Sequence, residues 1–482
     1  MTLRHTVEVI PADQVGSVHF IGIGGAGMSG IAEFYHAVGV RVGGCDRSDS
    51  PTLRRLASEG IATAVGHDPG HLDGVETVVV SSAIRLDNPE IAAAHERGLR
   101  IWHRSAALAA LMIDRCVVSV AGTHGKTTTS AMLSVMLAAA GVDPSFVIGS
   151  PLASTGHSSH RGEGRVFVVE ADESDGSFLQ YPTEIAVVTS VEPDHLDNWG
   201  TPQHYAAGFR DFATGPGVKS VVINADEPGA RRLAEALQSR EGVRVLTYGE
   251  AEDADLRLTD LDLEGTHGRA TLRLGTDTWR LHLQVPGRYN LANAAAAFGV
   301  GRILDLDPEV LLASLASFTG TLRRFQLVGQ VALATEPDRP VRIYDDYAHH
   351  PTELRAALGA ALRARGTGRL VACFQPHLYS RTQEFSEEFG SALCLADVAV
   401  VTDIYGSRED PVPGVTGALV ADAAERHAEP GTEVHYVPDK NDLPAALATL
   451  VRPGDLVMTL GAGDVTLVGP MLARLLADRS PA

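Results

Sequence analysis

Val120-Ala-Gly-Thr-His-Gly-Lys-Thr-Thr-Thr-Ser130 decides how this chain folds. A β-prone run, Cys116-Val-Val-Ser-Val120, enters it. An apolar run at helical spacing, Ala131-Met-Leu-Ser-Val-Met-Leu137, leaves it. Strand, glycine turn and helix in that order form the setting of a phosphate-binding loop. Glycines let backbone N–H groups converge on phosphate oxygens, and the helix N-terminus adds its positive dipole. Lys126 is then placed to reach the terminal phosphates, and the Thr127 hydroxyl to hold Mg²⁺. One position departs from G-x-x-x-x-G-K-[ST]: Val120 stands where the first glycine is usual. The plain alternative is an ordinary glycine-containing turn. Residue usage argues against it, because only three of the 40 Lys+Arg are lysine: Lys126, Lys219 and Lys440. A lysine kept in an arginine background suits a compact point charge inside a tight loop.

Working outward, 482 residues exceed one typical core and suggest about three domains. Apolar content of 44% and charged content of 21% are those of a globular enzyme. A net charge of −20 argues against nucleic acid or an anionic membrane as partner, but not against phosphate ligands bound locally by N–H groups. The four cysteines (Cys45, Cys116, Cys373, Cys394) show no C-x-x-C and no zinc spacing, and read as reduced thiols. The N-terminal stretch lacks the apolar segment of a secretory signal, and no apolar run approaches the ~18 residues that span a bilayer. A cytoplasmic location is expected.

Three α/β blocks follow from the pattern. The first opens with a strand at 18–23, continues through 78–81 and ends near a helical stretch at 105–113. The second starts at Cys116, with further strands at 166–170, 185–191 and 220–224, a polar alternating stretch at 254–283 that reads as antiparallel hairpins, and an Ala-rich helix at 291–300. A linker is expected at 318–325. The third block has strands at 341–344, 370–374, 398–402 and 456–460, alternating with helices. Apolar strands alternating with helices imply parallel sheets.

The first block carries Gly22-Ile-Gly24-Gly25-Ala26-Gly27, a G-x-G-x-x-G between strand and helix, with Asp46 about 20 residues on at the end of the next strand. Read alone, this is a dinucleotide fingerprint. Its physics is narrower: a glycine turn suits a pyrophosphate and the acid suits ribose hydroxyls. UDP-sugars carry both groups, so the motif specifies a diphosphate ligand without specifying NAD.

Two strands of the second block end in polar clusters, Glu170-Ala-Asp172-Glu173-Ser-Asp175 and Glu192-Pro-Asp194-His195-Leu-Asp197. In a parallel sheet these ends share an edge with the phosphate loop. Glu170 and His195 are therefore candidates to hold metal at the terminal phosphates of ATP. The flanking acids Asp172, Glu173, Asp175, Asp194 and Asp197 read mostly as helix caps or solvated positions.

Together these segments resemble the Mur ligase family over nearly the whole chain. Further matches are Asn290-Leu-Ala-Asn293, Arg323-Arg324-Phe325, Asp345-Asp346-Tyr347-Ala-His349-His350-Pro-Thr-Glu353, Phe374-Gln-Pro-His377 and Gly461-Ala-Gly463-Asp464. The resemblance implies an α/β chain of three domains: a Rossmann-like domain (1–115) binding a UDP-sugar, a central P-loop ATPase-like domain with a mostly parallel sheet (116–322), and a Rossmann-like domain (323–482) closing on ATP and an amino acid. It implies that Gly122, Thr123, His124, Gly125, Lys126, Thr127, Thr128, Asn290, Asn293, Arg324 and Asp346 bind ATP, and that Thr127, Glu170 and His195 hold Mg²⁺. Lys126, Glu170, His195 and Arg324 would be catalytic. Gly22, Gly24, Gly25, Ala26, Gly27, Met28, Asp46 and Ser82 would bind the UDP-sugar. Tyr347, His349, His377 and Arg381 would form the amino-acid pocket. Plainer readings stand beside these: Asn290 and Asn293 facing solvent, and His350 opening the next helix.

Within the family, the resemblance points to the branch that adds L-alanine to the carboxylate of UDP-N-acetylmuramate at the expense of ATP, through an acyl phosphate. Sister ligases carry a carbamylated lysine near the second magnesium; no lysine lies between Lys126 and Lys219 here. Members of this branch often have arginine after the histidine of Q-P-H, where this chain has Leu378. The alternatives are a relative attaching a preformed peptide to the same sugar nucleotide, a nicotinamide-dependent oxidoreductase built on Gly22–Gly27, and a non-catalytic nucleotide sensor.

Overall fold

A computed structural model describes residues 7–85, 87–238, 240–407 and 409–479, apart from the side chains of Ala26 and Asp197. Three sheets appear in chain order. In the first, five parallel strands lie in the order Ala62–Val65, Val42–Asp46, Val18–Ile21, Thr77–Val80, Arg100–His103. The order reverses at Val18–Ile21, and the chain leaves that strand through the first glycine turn into helix Ala26–Ala37. This is the switch-point arrangement at which open α/β sheets take their ligands.

The second sheet has ten strands. Cys116–Ala121 lies between Ile185–Val188 and Val166–Glu170, parallel to both. Its burial explains the valine-rich sequence, since all six residues of Cys116–Ala121 are buried. The polar stretch at 254–283 forms three strands, Leu256–Asp262, Gly268–Leu274 and Asp277–Leu283, at one edge. The Ala-rich helix is longer than the sequence suggests, running Arg288–Ile303.

The third sheet has six strands. A long antiparallel hairpin, Gln326–Leu333 with Glu336–Asp346, feeds a parallel set that includes Leu456–Leu460, Leu370–Phe374, Val398–Val401 and Glu433–Tyr436. Gln326–Leu333 and Glu433–Tyr436 were not expected. Both mix polar with apolar residues and lie at sheet edges, where half-buried strands lose the continuous apolar signal.

The chain divides into two compact units. One runs through Asp260 and includes Ala270–Leu281 and Ala292–Phe318; the other comprises Leu261–Arg269, His282–Leu291 and Thr319–Ala482. The first sheet and most of the second therefore share a unit, and one apolar core spans them: Phe20, Tyr35 and Trp102 of the first block cluster with Val117, Phe167 and Val169 of the second. Phe34 and Phe167 meet across that junction with ring centroids 5.4 Å apart.

Candidate active site

The phosphate turn is built by two glycines in left-handed backbone, Gly122 at φ 144° and Gly125 at φ 85°. Neither tolerates a side chain. A Cβ on Gly122 would lie 2.0 Å from Thr189 Oγ1, and one on Gly125 would lie 2.7 Å from Asn293 Oδ1. Val120 needs no such freedom. It is a fully buried strand residue, registered between Val187 and Glu170, so the turn begins only after it. The loop after strand Ile185–Val188 fixes the turn from outside. His124 N donates to Ser190 Oγ at 2.9 Å, and Thr123 Oγ1 donates to the Glu192 carbonyl at 2.8 Å. His124 Nε2 also lies 2.9 Å from Glu192 Oε2.

Lys126 opens helix Lys126–Ala139 and folds back over the turn. Its Nζ donates to the carbonyls of Gly122 (2.5 Å) and Thr123 (3.2 Å) and lies 2.8 Å from Glu173 Oε2. Burial opposes its charge, but Glu173, Asp172 and Glu170 outweigh that and hold the ammonium protonated. One residue on, Thr127 Oγ1 donates to Glu170 Oε1 at 2.8 Å, while Gly149 N donates to Oε2 at 2.6 Å. A hydroxyl and a carboxylate at this spacing are hard oxygen donors, and they fit magnesium.

His195 is the N-cap of the short helix Leu196–Trp199, at φ 53°, with Nε2 3.6 Å from Asp194 Oδ2. That helix is tied to the loop behind Lys126: Trp199 Nε1 donates to the Glu173 carbonyl (2.9 Å) and Asn198 Nδ2 to the Ser174 carbonyl (3.1 Å). The structure thus joins Thr127 to Glu170 directly, and His195 to this region through its helix.

Of the acids read mostly as caps or solvated positions, Asp172 and Asp175 do cap, while Glu173 needs correction. Glu173 is 1% exposed and pairs with Lys126. Burial pushes its carboxyl up to about 7 against the pull of Lys126. Asp172 caps Ser174 N at 3.0 Å but also receives Arg104 Nη2 at 2.9 Å. Against its burial, Arg104 and Lys126 hold it well below the usual carboxylate range. Asp175 caps Ser177 N and takes the Ser82 hydroxyl at 2.6 Å. Asp194 accepts from His195 N at 2.7 Å. The side chain of Asp197 lies outside the described residues. Sequence missed the contacts of Asp172 and Asp175 because their partners Arg104 and Ser82 come from another block, and that of Glu173 because Lys126 lies 47 positions away.

The first glycine turn lies in the same unit. Gly22 has φ 79°, and Gly24 N donates to Asp46 Oδ2 at 3.0 Å. Asp46 thus touches the turn that it was expected to serve across a ligand. Gly25 caps the helix that Ala26 begins. A Cβ on Gly27 would lie 2.9 Å from Arg104 Nη1. Met28 is 3% exposed and its side chain belongs to the core. Ser82 also lies 3.1 Å from His103 Nε2; burial brings that imidazole down to about 4 despite Asp175. Arg104 is the residue sequence reasoning overlooked. Beside Gly27 and bound to Asp172, it connects the first glycine turn to the loop that holds Lys126.

In the second unit, Asp346 is 6% exposed and accepts from Phe325 N (2.8 Å) and Ala348 N (2.9 Å). It staples the 323–325 linker, where Arg323 and Phe325 both have positive φ, to the end of its strand. Burial pushes its carboxyl up to about 6, against Arg324. Arg323 and Arg324 both stack over the Tyr347 ring, at 4.8 and 5.2 Å from its centroid. The rings of Tyr347, His349 and His377 follow edge to face at 5.2 and 5.6 Å, and His377 stacks on Tyr405 at 6.0 Å. Arg381 is buried in the first turn of helix Tyr379–Leu393. Leu378, the residue before that helix, sits at φ 68°. His350 caps helix Pro351–Ala364, as its plainer reading held. Asn290 is buried, its amide donating to the Pro286 carbonyl at 2.7 Å, and Asn293 is buried beside Gly125, so neither faces solvent.

Comparison with known proteins bears on all three blocks. Models of the Mur ligase family match residues 17–115 (catalytic domain), 120–301 (middle domain) and 323–463 (glutamate ligase domain). The UDP-N-acetylmuramate–L-alanine ligase of Cutibacterium acnes is 64% identical over 481 residues, covering 100% of each chain. The crystal structure of the UDP-N-acetylmuramate–alanine ligase MurC of Thermotoga maritima superposes with a TM-score of 0.79 at 27% identity, covering 96% of this chain and 99% of that one. A murein peptide ligase of Psychrobacter arcticus shares the fold, with a TM-score of 0.69 at 23% identity over 97% of this chain and 100% of that one. Among the described residues no helix is long and apolar enough to cross a membrane. With three domain models matched in order and an end-to-end relative at 64% identity, the chain belongs to the Mur ligase family.

Proposed function

We propose that this protein joins L-alanine to the carboxylate of UDP-N-acetylmuramate, converting ATP to ADP and phosphate in the synthesis of peptidoglycan precursors in the cytoplasm. The observation that carries this reading is the 64% identity, end to end, to a ligase named for those two substrates. The murein peptide ligase of Psychrobacter arcticus is matched at 23% identity, which supports only the common fold.

The reaction begins when a carboxylate oxygen of the muramyl group attacks the γ-phosphorus of ATP in line, and ADP leaves. The alanine amine then attacks the acyl carbon, phosphate leaves, and the amine gives up a proton. In this assignment the Gly122–Thr128 turn aims its N–H groups at the phosphates, and Lys126 exchanges Glu173 for phosphate oxygens. Thr127 and Glu170 would hold magnesium, which when bound supplies charge neutralisation at the phosphoryl oxygens. His195 is the proposed further ligand. Asn293 lines the turn; Asn290, Arg324 and Asp346 are assigned to the nucleotide from the helix, linker and third block. Gly22–Met28, Asp46 and Ser82 are assigned to the UDP-sugar, the side chain of Met28 serving from the core. Tyr347, His349, His377 and Arg381 are assigned to the amino acid. Domain limits near residues 115 and 322 complete the assignment.

The test is ADP release with UDP-N-acetylmuramate, scanned across the amino acids, beside separate calorimetric titrations of UDP-N-acetylmuramate and NADH. L-Alanine is expected to give the highest kcat/KM, and NADH no binding. ADP release that no amino acid stimulates, or tight NADH binding that Gly25→Val removes, would overturn the reading.

A further inference from the structure

On the first sheet, Cys45, His19, His71 and Glu90 converge from four separate elements. His19 lies on strand Val18–Ile21 and Cys45 on strand Val42–Asp46. His71 comes from the turn Pro69–Leu72, and Glu90 from the first turn of helix Pro89–Glu96. One ligand atom from each lies within 4.8 Å of all the others. His19, Cys45 and Glu90 are 3%, 0% and 0% exposed. Nothing in the ligase reaction uses them.

A simple hydrogen-bonded carboxylate explains part of this cluster. Glu90 accepts from Cys45 Sγ (2.9 Å) and from Asp68 N (3.2 Å), and lies 2.7 Å from His71 Nδ1. It does not explain His19. Its Nε2 is buried, finds no hydrogen-bond partner among the described residues, and meets Glu90 Oε1 only at 3.6 Å, an ion-pair distance too long for a hydrogen bond. An orphaned buried polar atom costs about 1–3 kcal/mol, so a network built only for Glu90 has no reason to hold an imidazole there. The cluster also holds one thiol, one carboxylate and two imidazoles. As thiolate and carboxylate these carry two negative charges, which cancel a dication in a site that excludes water.

We propose that His19, Cys45, His71 and Glu90 form a binding site for a divalent transition-metal cation of the zinc class. The donors are a soft sulfur, two borderline nitrogens and one oxygen, a set that suits zinc and not magnesium or calcium. Ligand atoms around tetrahedral zinc stand about 3.4–3.8 Å apart, so side-chain rotations of about 1 Å close the cluster onto an ion. Entry is available at His71, whose side chain is 27% exposed, with His67 at 22% beside it. His67 Nδ1 lies 3.2 Å from Cys45 Sγ and would support the metal-bound thiolate from outside. On binding, the Cys45 proton leaves to solvent and no other bond changes. The ion would clamp two strands, a turn and a helix directly behind Asp46, whose carboxylate holds Gly24 N of the first glycine turn. The proposal is independent of the ligase reading.

The test uses the full chain, reduced and stripped of metal, titrated with Co²⁺ in excess Mg²⁺ so that oxygen-ligand sites are filled. One equivalent of Co²⁺ is expected to give a tetrahedral visible spectrum with a thiolate-to-cobalt charge-transfer band, both lost on adding Zn²⁺. Cys45→Ser should lose the charge-transfer band. His71→Ala, at the partly exposed rim and so compatible with folding, should weaken Co²⁺ binding by at least about tenfold. Zn²⁺ should raise the melting temperature of the parent and not of His71→Ala. A parent protein with titratable Cys45 but no charge-transfer band would overturn the proposal. So would variants whose Co²⁺ titrations match the parent.

Discussion

Lys126 Nζ lies 2.8 Å from Glu173 Oε2, in a pair where the lysine is 15% and the glutamate 1% exposed. In the proposed assignment phosphate oxygens take over from this carboxylate, so the lysine is charged and aimed before ATP binds. The two partners are not equivalent. Glu173, pushed up to about 7 by burial, can neutralise itself by binding a proton, whereas the surrounding carboxylates hold the Lys126 ammonium protonated.

That asymmetry sets the first expectation. Lys126→Ala should abolish turnover and leave the fold intact, and Lys126→Arg should also be poor, since a planar fork does not replace a point charge. Glu173→Gln removes the nearest counter-charge of the buried ammonium and leaves only Asp172 and Glu170 to offset it, so the cost should approach that of a broken buried pair, about 3–5 kcal/mol. A non-hydrolysable ATP analogue should then restore much of the lost melting temperature, because its phosphates supply the missing charge. A Glu173→Gln deficit that nucleotide leaves unchanged, or Lys126→Ala with near-parental ADP formation, contradicts the assignment.

Thr127 and Glu170 form the second pair, with Gly149 N on the other carboxylate oxygen. Glu170→Ala should sharply raise the magnesium requirement, and His195→Ala should do so less severely. A ligand to the reacting phosphates acts in the transition state, so kcat should fall more than KM rises. Magnesium titrations of both variants that overlay the parent would make these residues structural.

Asp346 makes stability depend on pH in a direction opposite to most carboxylates. Burial pushes its folded carboxyl up to about 6, against an ordinary value of 3.8. The native state then binds a proton that the unfolded chain has already released, so stability is full below about pH 4 and falls as pH rises to about 6. The size is about 3 kcal/mol, from two pH units at 1.36 kcal/mol each. Asp346→Asn should be less stable at pH 4, because the amide oxygen cannot serve both Phe325 N and Ala348 N. It should also show a flatter melting profile between pH 4 and 6. A profile parallel to that of the parent would remove Asp346 as the source.

Much of the architecture is legible because strand and glycine-turn signals are local. Val166–Glu170, Ser220–Asn224, Leu370–Phe374 and Leu456–Leu460 appear where their apolar runs predict them. What escaped the sequence depends on residues far apart. The Lys126–Glu173 pair spans 47 positions, and Arg104 reaches Asp172 across 68. No spacing rule joins them, and an acid inside Asp-Glu-Ser-Asp looks solvated until the chain is folded. The His19/Cys45/His71/Glu90 cluster was missed for a related reason: each member comes from a different element, and a lone cysteine has no partner to suggest a metal.

The acceptor should be a single small amino acid, with L-alanine preferred. Tyr347, His349 and His377 meet in one edge-to-face series, under the guanidinium groups of Arg323 and Arg324. In the proposed pocket these rings are expected to take a methyl in preference to a long side chain. Leu378 is 8% exposed and held at φ 68°, and in the proposed pocket the carboxylate contact is assigned to Arg381 three residues on. Its guanidinium can fork onto an α-carboxylate with two parallel hydrogen bonds. Arg381→Ala should therefore raise the KM for alanine well beyond any change in the KM for ATP. Glycine should remain usable but slower, since one absent methyl costs only about 1–3 kcal/mol of discrimination. If Arg381 serves only the packing of helix Tyr379–Leu393, its removal lowers the melting temperature and leaves the KM for alanine where it was. Measuring both on the same variant, with L-alanine offered against a tripeptide beginning L-Ala-γ-D-Glu, separates the two roles; a preference for the tripeptide would transfer the chain to the peptide-attaching branch.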